Sequence, residues 1–390
     1  MAGIDAGHTC DRPLYTRVVR RGLEPDEIGL RAHVLAAWVV SRVVGVIALV
    51  VTPTRGGEWF NTFGLTTMDG GWYRIIIDAG YTSGLLPDHA TVWPFFPLYP
   101  WLADAVVAAG APVGPTLIVV SWLAAAVALA GVGVLVRQRF GGVAPGAAAL
   151  AVWMAALLPG SLGWVLSYSD SMFVAGVVWC LVFVDRIVDD RTARTESQSW
   201  DSRWLVVGLV ATIATMSRPN GFLLLVALLV ALLTSRAGLA EMVAAIGPSV
   251  LSLLGWMAFS NARTGDPLVF LTAKDAWLEV SPLDVITDPL ERPAALFHVI
   301  VFLVVLVLAF PWLRRLPLHW TVIGLLLVLP SFVLGIEGLA RYTSMAVPLV
   351  VGAALALSHR PPSQRVAFLT ASSAAMIFLG VNVVRSSWVP

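Results

Sequence analysis

Charge is scarce in this chain. Only 13% of its 390 residues are Asp, Glu, Lys or Arg, while 58% are hydrophobic; soluble domains carry about 25% charged residues. A water-soluble fold of this length has too little interior for so much apolar side chain, so the composition points to the bilayer as solvent. Neither sign dominates: the formal net charge is +1, which excludes the basic face of a nucleic-acid binder. Cysteine is nearly absent, with Cys10 in a polar stretch and Cys180 in an apolar one. A disulfide between them is not expected, and neither has metal-ligand spacing. Lysine is rarer still. Lys274 is the single one among 25 basic residues, and the bias to Arg, Ala, Val and Gly suggests a GC-rich genome of actinobacterial type.

Long hydrophobic runs are what the chain has instead. A spanning helix needs about 20 apolar residues, and candidates lie near 32–51, 94–110, 116–136, 144–158, 170–187, 203–217, 220–235, 240–260, 296–311, 318–335, 341–358 and 366–384. The expected fold class is all-α: a polytopic transmembrane helical protein of about 11–12 membrane segments, one domain over 32–384. Residues 1–31 lack the early apolar stretch and small-residue cleavage site of a signal peptide and are expected to form a cytoplasmic N-terminal tail. Residues 385–390 are expected to form a short C-terminal tail. No internal repeat is visible. The hydrophilic stretches 52–93 and 261–295 are long enough to carry function.

Cytoplasmic loops retain Lys and Arg preferentially. With the N-terminus inside, the loops bearing Arg137/Arg139, residues 185–203, Arg236, Arg314/Arg315 and Arg360/Arg365 also fall inside, provided one early segment does not cross. The segment 94–110 suits that exception, because it holds Asp104, Pro94, Pro97 and Pro100. Both long loops then face outward. On the same side stand four unusual residues: Asp69, Arg218, Lys274 and Arg341.

Each of these has a plain alternative. Asp69 precedes Gly70-Gly71 and a stretch, 72–79, that can form an interfacial helix with Trp72, Ile75, Ile76 and Ala79 on one face; Asp69 caps that helix or acts as a base. The run Trp93-Pro94-Phe95-Phe96-Pro97-Leu98-Tyr99-Pro100 anchors the chain at the membrane interface or forms an aromatic wall for a sugar or lipid. His89 reads as a surface histidine. Asp170, in Tyr168-Ser169-Asp170-Ser171, is expected to cap the following helix, with a hydrogen-bonding role near a site as secondary. Arg218 in Ser217-Arg218-Pro219-Asn220-Gly221 interrupts an apolar stretch. An unpaired arginine there costs about 2.5–3.5 kcal/mol, so it marks either a site or a turn. Lys274 could be an ordinary exposed charge, and Arg341 could snorkel to the headgroups.

The motifs from Asp69 to Tyr81, Phe95 to Pro100, Tyr168 to Ser171, Ser217 to Gly221 and Arg341-Tyr342 to Pro348 resemble the PIG-V family, which adds the second mannose to GPI anchors, in its bacterial branch. The most specific element is Phe95 to Pro100. The chain departs from many relatives at Gly70-Gly71. The resemblance implies a GT-C glycosyltransferase using polyprenyl-phosphate mannose as lipid-linked donor, without metal or cofactor, and assigns the base to Asp69. Arg218, Arg341 and Lys274 are then expected to bind the donor phosphate. Trp72, Tyr73, Phe95, Phe96, Tyr99, Asn220, Tyr342 and His89 are expected to line the substrates. Expected partners are membrane lipids, the donor and a glycolipid or glycan acceptor, in the plasma membrane with the site outside. A sugar on lipid phosphate already has a good leaving group, so one base and several cations suffice, and direct displacement inverts the anomeric centre. The competing readings are a secondary transporter or lipid flippase, and an inactive relative acting as an assembly subunit. A transporter tends to show repeats and a midplane site.

Overall fold

The computed structural model describes residues 25–52, 64–82, 91–144, 146–193, 200–273 and 291–385, and among these there is no strand. Among the described residues, six helices are long and apolar enough to cross a bilayer, each with 21–28 residues in its apolar stretch, against about 20 required. They are α1 (Pro25–Val50), α4 (Val113–Phe140), α6 (Asp170–Ala193), α9 (Leu239–Thr264), α11 (Pro293–Leu313) and α16 (Pro362–Val384). A further apolar pair is bent: α14 (Leu339–Met345) and α15 (Val347–Ser358) meet at 70°, counted from Ile336, as a broken span or a re-entrant loop does. Proline at 348 is tolerated there because it sits in the first turn of α15. Shorter apolar helices take the remaining segments: α3 (Leu98–Val107), α5 (Ala147–Leu157), α7 (Arg203–Ser217), α8 (Leu223–Thr234), and α12 (Leu318–Leu326) with α13 (Leu329–Leu334). The small elements α2 (Asp69–Ala79) and α10 (Val269–Thr272) lie in the two long loops. α1 begins inside the stretch read as a tail.

Apolar side chains cover the outside of the bundle as well as its core. Leu251 on α9 is 72% exposed and Phe310 on α11 is 68% exposed. Such a belt is unfavourable in water and neutral in lipid.

The helix α6 sets the axis. Asp170 begins it and Arg191 stands in its last turn, about 30 Å away at 1.5 Å per residue. α4 runs alongside in the same direction: Ser171 Oγ donates to Ser121 O at 2.8 Å, and Arg139 pairs with Asp189 at 2.9 Å. α7 runs back, with Arg203 against Asp190 at 2.5 Å and Arg218 reaching Asp170. The charged groups therefore sort to two ends. One end holds Asp69, Asp170, Arg218 and Arg341. The other holds Arg139, Asp189, Asp190, Arg191, Arg203 and Glu241, with the buried pair Asp185 and His319 at 2.9 Å.

Between α5 and α6 the chain leaves α-helical geometry and stays buried, residues 158–169 forming a strap with one short 3-10 turn (Pro159–Trp164). Backbone groups off the α-helical ladder at this depth need partners, and side chains of α1 and α4 supply them. Arg42 Nη2 donates to Trp164 O at 2.6 Å, Trp122 Nε1 to Val165 O at 2.7 Å, and Ser121 Oγ to Leu166 O at 2.9 Å. On the other side Ser167 N–H donates to Leu65 O at 2.9 Å. The strap thus joins the first long loop to the bundle and delivers Asp170.

Candidate functional site

Asp69 is the first residue of α2, and the residue before it, Met68, has φ 53° and ψ −117°. A long side chain in left-handed φ is strained, and such strain gathers at functional sites. No side chain caps this helix. The Asp69 carboxylate turns instead to Arg341, its Oδ2 accepting from Nη2 at 2.5 Å. The capping alternative for Asp69 is thereby replaced by an ion pair across 272 positions of sequence.

Asp170 lies beneath this pair and is fully buried, at 0% exposure. It accepts from Arg341 twice, Nε to Oδ2 at 2.6 Å and Nη2 to Oδ1 at 2.8 Å, and Arg218 Nη1 donates to Oδ1. Arginine's planar fork permits this two-point contact. Burying two guanidiniums and a carboxylate is tolerable because each charge has a partner. Of the two expectations for Asp170, the hydrogen-bonding role ranked second is the one its contacts fill: it stands at the centre of the cluster. Arg341 is 7% exposed and Arg218 11%, whereas the Asp69 side chain is 22% exposed, so Asp69 is the most open member. Among the described residues no donor is bonded to its Oδ1. Aromatic faces complete the seat, with the Arg341 guanidinium 4.5 Å from the Tyr168 ring centroid and that of Arg218 5.9 Å from the Tyr342 ring.

The structure thus brings together Asp69, Arg218, Arg341 and Tyr342. Asn220 is buried beside Arg218 in the turn after α7. Lys274 and His89 lie outside the described residues. The aromatic residues divide. Trp72 is half-buried and stacked on Phe95 at 5.9 Å. Tyr73, Phe96 and Tyr99 are interior side chains, which corrects the expectation that they line a substrate surface. The Tyr99 hydroxyl donates to Leu117 O at 2.6 Å, and Phe96 packs on Trp256 and Phe270. The Tyr73 hydroxyl donates to Ser169 Oγ at 2.7 Å; burial, with the charge of Asp69 adding to it, pushes this phenol up, so it stays a proton donor. The buried face of α2 is Gly70, Tyr73 and Ile76, and Ile75 points outward, so the apolar stripe Trp72–Ile75–Ile76–Ala79 is not the packed face. Phe95 is also buried, its ring edge against Tyr73 at 5.3 Å.

Two glycines make the assembly close enough to work. A Cβ at Gly70 would stand 2.2 Å from Ser167 Oγ, which accounts for a small residue directly after Asp69. A Cβ at Gly160 would stand 2.0 Å from Ala340 O and 2.6 Å from Arg341 N, so the strap and the helix carrying Arg341 touch backbone to backbone. Gly160→Ala is expected to cost at least about 1–3 kcal/mol, as overpacking does, because neither backbone can yield. Thermal unfolding of the purified protein in detergent measures it, and an unchanged midpoint would contradict this packing.

Sequence reasoning gave Asp170 only a secondary hydrogen-bonding role near a site, and assigned no site role to Tyr168, Ser169 or Gly160. The signal that could have found Asp170 was charge balance: two arginines in apolar surroundings called for more than the single carboxylate of Asp69.

A family model described as dolichyl-phosphate-mannose-protein mannosyltransferase matches residues 88–261, less than half of the chain. That span includes the aromatic-proline run, Asp170 and Arg218, and leaves out Asp69 and Arg341. No curated protein matches. Among solved structures, the chain is similar to the oligosaccharyltransferase AglB from the archaeon Archaeoglobus fulgidus in complex with an inhibitory peptide and a dolichol-phosphate, at 13% identity and a TM-score of 0.49, over 91% of this chain and 56% of that one. The apo form of the Archaeoglobus fulgidus oligosaccharyltransferase gives 15% identity and a TM-score of 0.47, over 91% and 56%. The chain spans a little over half the length of these structures.

Proposed function

We propose that this chain is a membrane glycosyltransferase of the GT-C type. It moves mannose or a related hexose from a polyprenyl-phosphate donor to a hydroxyl of a glycolipid or glycan acceptor. The observation that carries the reading is the Asp69–Arg341 pair standing on buried Asp170 at one end of the bundle. A base with an open oxygen, beside guanidiniums held in place before any substrate arrives, is the inventory that the reaction needs. The family match to lipid-phosphate-mannose-dependent transferases and the PIG-V-like motifs agree with it.

In this mechanism Asp69 Oδ1 takes the proton from the acceptor hydroxyl as its oxygen attacks the anomeric carbon from the face opposite the phosphate. The bond from that carbon to the phosphate oxygen breaks, and the product is inverted. Arg218 and Arg341, with Lys274 as a further candidate, carry the positive charge opposite the departing phosphate, and we read the reaction as metal-independent. The half-buried Trp72, stacked on Phe95 and three residues on from Asp69, offers an apolar edge for sugar or lipid.

The arginines of the opposite end, among them Arg139, Arg191 and Arg203, support placing that end in the cytoplasm of a plasma-membrane protein and the Asp69 end outside. A transporter would want its polar residues near the middle of the bundle; here they stand at an end. Purified protein in proteoliposomes, given polyprenyl-phosphomannose and membrane glycolipids, is expected to yield an inverted mannosyl product. Donor lipid crossing the bilayer without sugar transfer would overturn the reading in favour of a flippase.

A further inference from the structure

Arg341 shares one nitrogen between two carboxylates. Its Nε and Nη2 are committed to Asp170 at 2.6 and 2.8 Å, and the same Nη2 reaches Asp69 at 2.5 Å. A phosphate beside Asp69 can take the place of that carboxylate at the shared Nη2 while Asp170 still holds Nε.

We propose that Arg341 is handed from Asp69 to the lipid phosphate during transfer, with Asp170 as the pivot that keeps the handover to a small rotation; the proposal rests on the transferase reading above. Charge accounting motivates it. Asp69, Asp170, Arg218 and Arg341 sum to zero at rest. When the acceptor's proton moves to Asp69, the bond from the anomeric carbon to phosphate oxygen breaks and its electron pair stays on the phosphate. The four side chains then sum to +1 just as the phosphate gains one negative charge. Asp69, now neutral, no longer competes for the guanidinium, and the leaving group takes its place. Base protonation and leaving-group stabilisation are thereby a single coupled event, with the coupling carried by one side chain. Arg218 is excluded from this part, because its Nη1 donates to Asp170 and not to Asp69.

Binding of short-chain polyprenyl phosphate to the full-length protein in detergent tests the handover without turnover. Asp69→Asn imitates the protonated base and is expected to tighten binding by about 5- to 150-fold, the usual size of a two-site coupling. The gain should vanish in an Arg341→Lys background, because lysine keeps a cation for Asp170 but has no fork to share. Equal binding by wild type and Asp69→Asn would overturn the handover while leaving the site reading intact. A gain that persists in Arg341→Lys would overturn it too, as plain charge repulsion would then account for it. If wild-type protein neither binds polyprenyl phosphate nor transfers from its mannose ester, the functional reading falls with it. Should Arg341→Lys fail to fold, infrared difference spectra decide: adding polyprenyl phosphate to wild type should shift a carboxylate band that Asp69→Asn lacks, and no shift overturns the proposal.

Discussion

Replacing Asp170 by Asn is expected to cost about 3–5 kcal/mol of stability, the usual penalty for removing one partner of a buried ion pair. Asp170 has no access to solvent and holds both Arg341 and Arg218. Asn has nearly the same shape, so the loss isolates charge from packing. Arg341 keeps Asp69 in this variant, but Arg218 is left with no carboxylate among the described residues. Adding Arg218→Met should therefore recover much of the deficit, because removing both members of a buried pair is often close to neutral. Thermal and denaturant unfolding of purified protein in detergent would read both effects. Wild-type stability in Asp170→Asn would mean that the cluster is not held through Asp170.

The other large effect is on chemistry. Asp69→Asn should lower transfer by about 10²- to 10⁴-fold, the range expected on losing a general base, while folding changes little. The side chain is partly exposed and its Arg341 contact lies at the open side of the cluster, so the amide can still accept from Arg341 through its oxygen. Initial rates with saturating donor and acceptor, beside gel filtration of the same sample, separate the two readouts. A variant that retains full transfer would remove Asp69 from the mechanism. The Gly160→Ala measurement complements both, since it strains the backbone contact beside Arg341 without changing any charge.

Much of the fold was legible because hydrophobic length and arginine position are local properties. Each apolar segment read along the chain finds a helix or helix pair, but only six are full-length spans and one is bent. Apolar composition says that a segment leaves water; it does not say whether the segment crosses in one piece. The segment at 94–110 was singled out for its prolines and Asp104, and it forms the ten-residue α3. The aromatic-proline run shows the limit of composition. Tyr99 and Phe96 are buried against α4, α9 and α10, while Trp72 keeps an exposed part. Nothing in an aromatic residue's identity tells which face its neighbours will cover.

What the sequence by itself determined is the solvent, the helical class and the gathering of Asp69, Arg218 and Arg341 toward one end, since apolar runs and loop charge suffice for these. Only the tertiary structure decided that Asp170 is the hub and that Arg341 bridges two carboxylates. Those contacts join residues 69, 170, 218 and 341 from four different elements. They depend on a buried strap and a backbone-to-backbone approach at Gly160, and pairing of this kind is set by packing in three dimensions rather than by any local pattern.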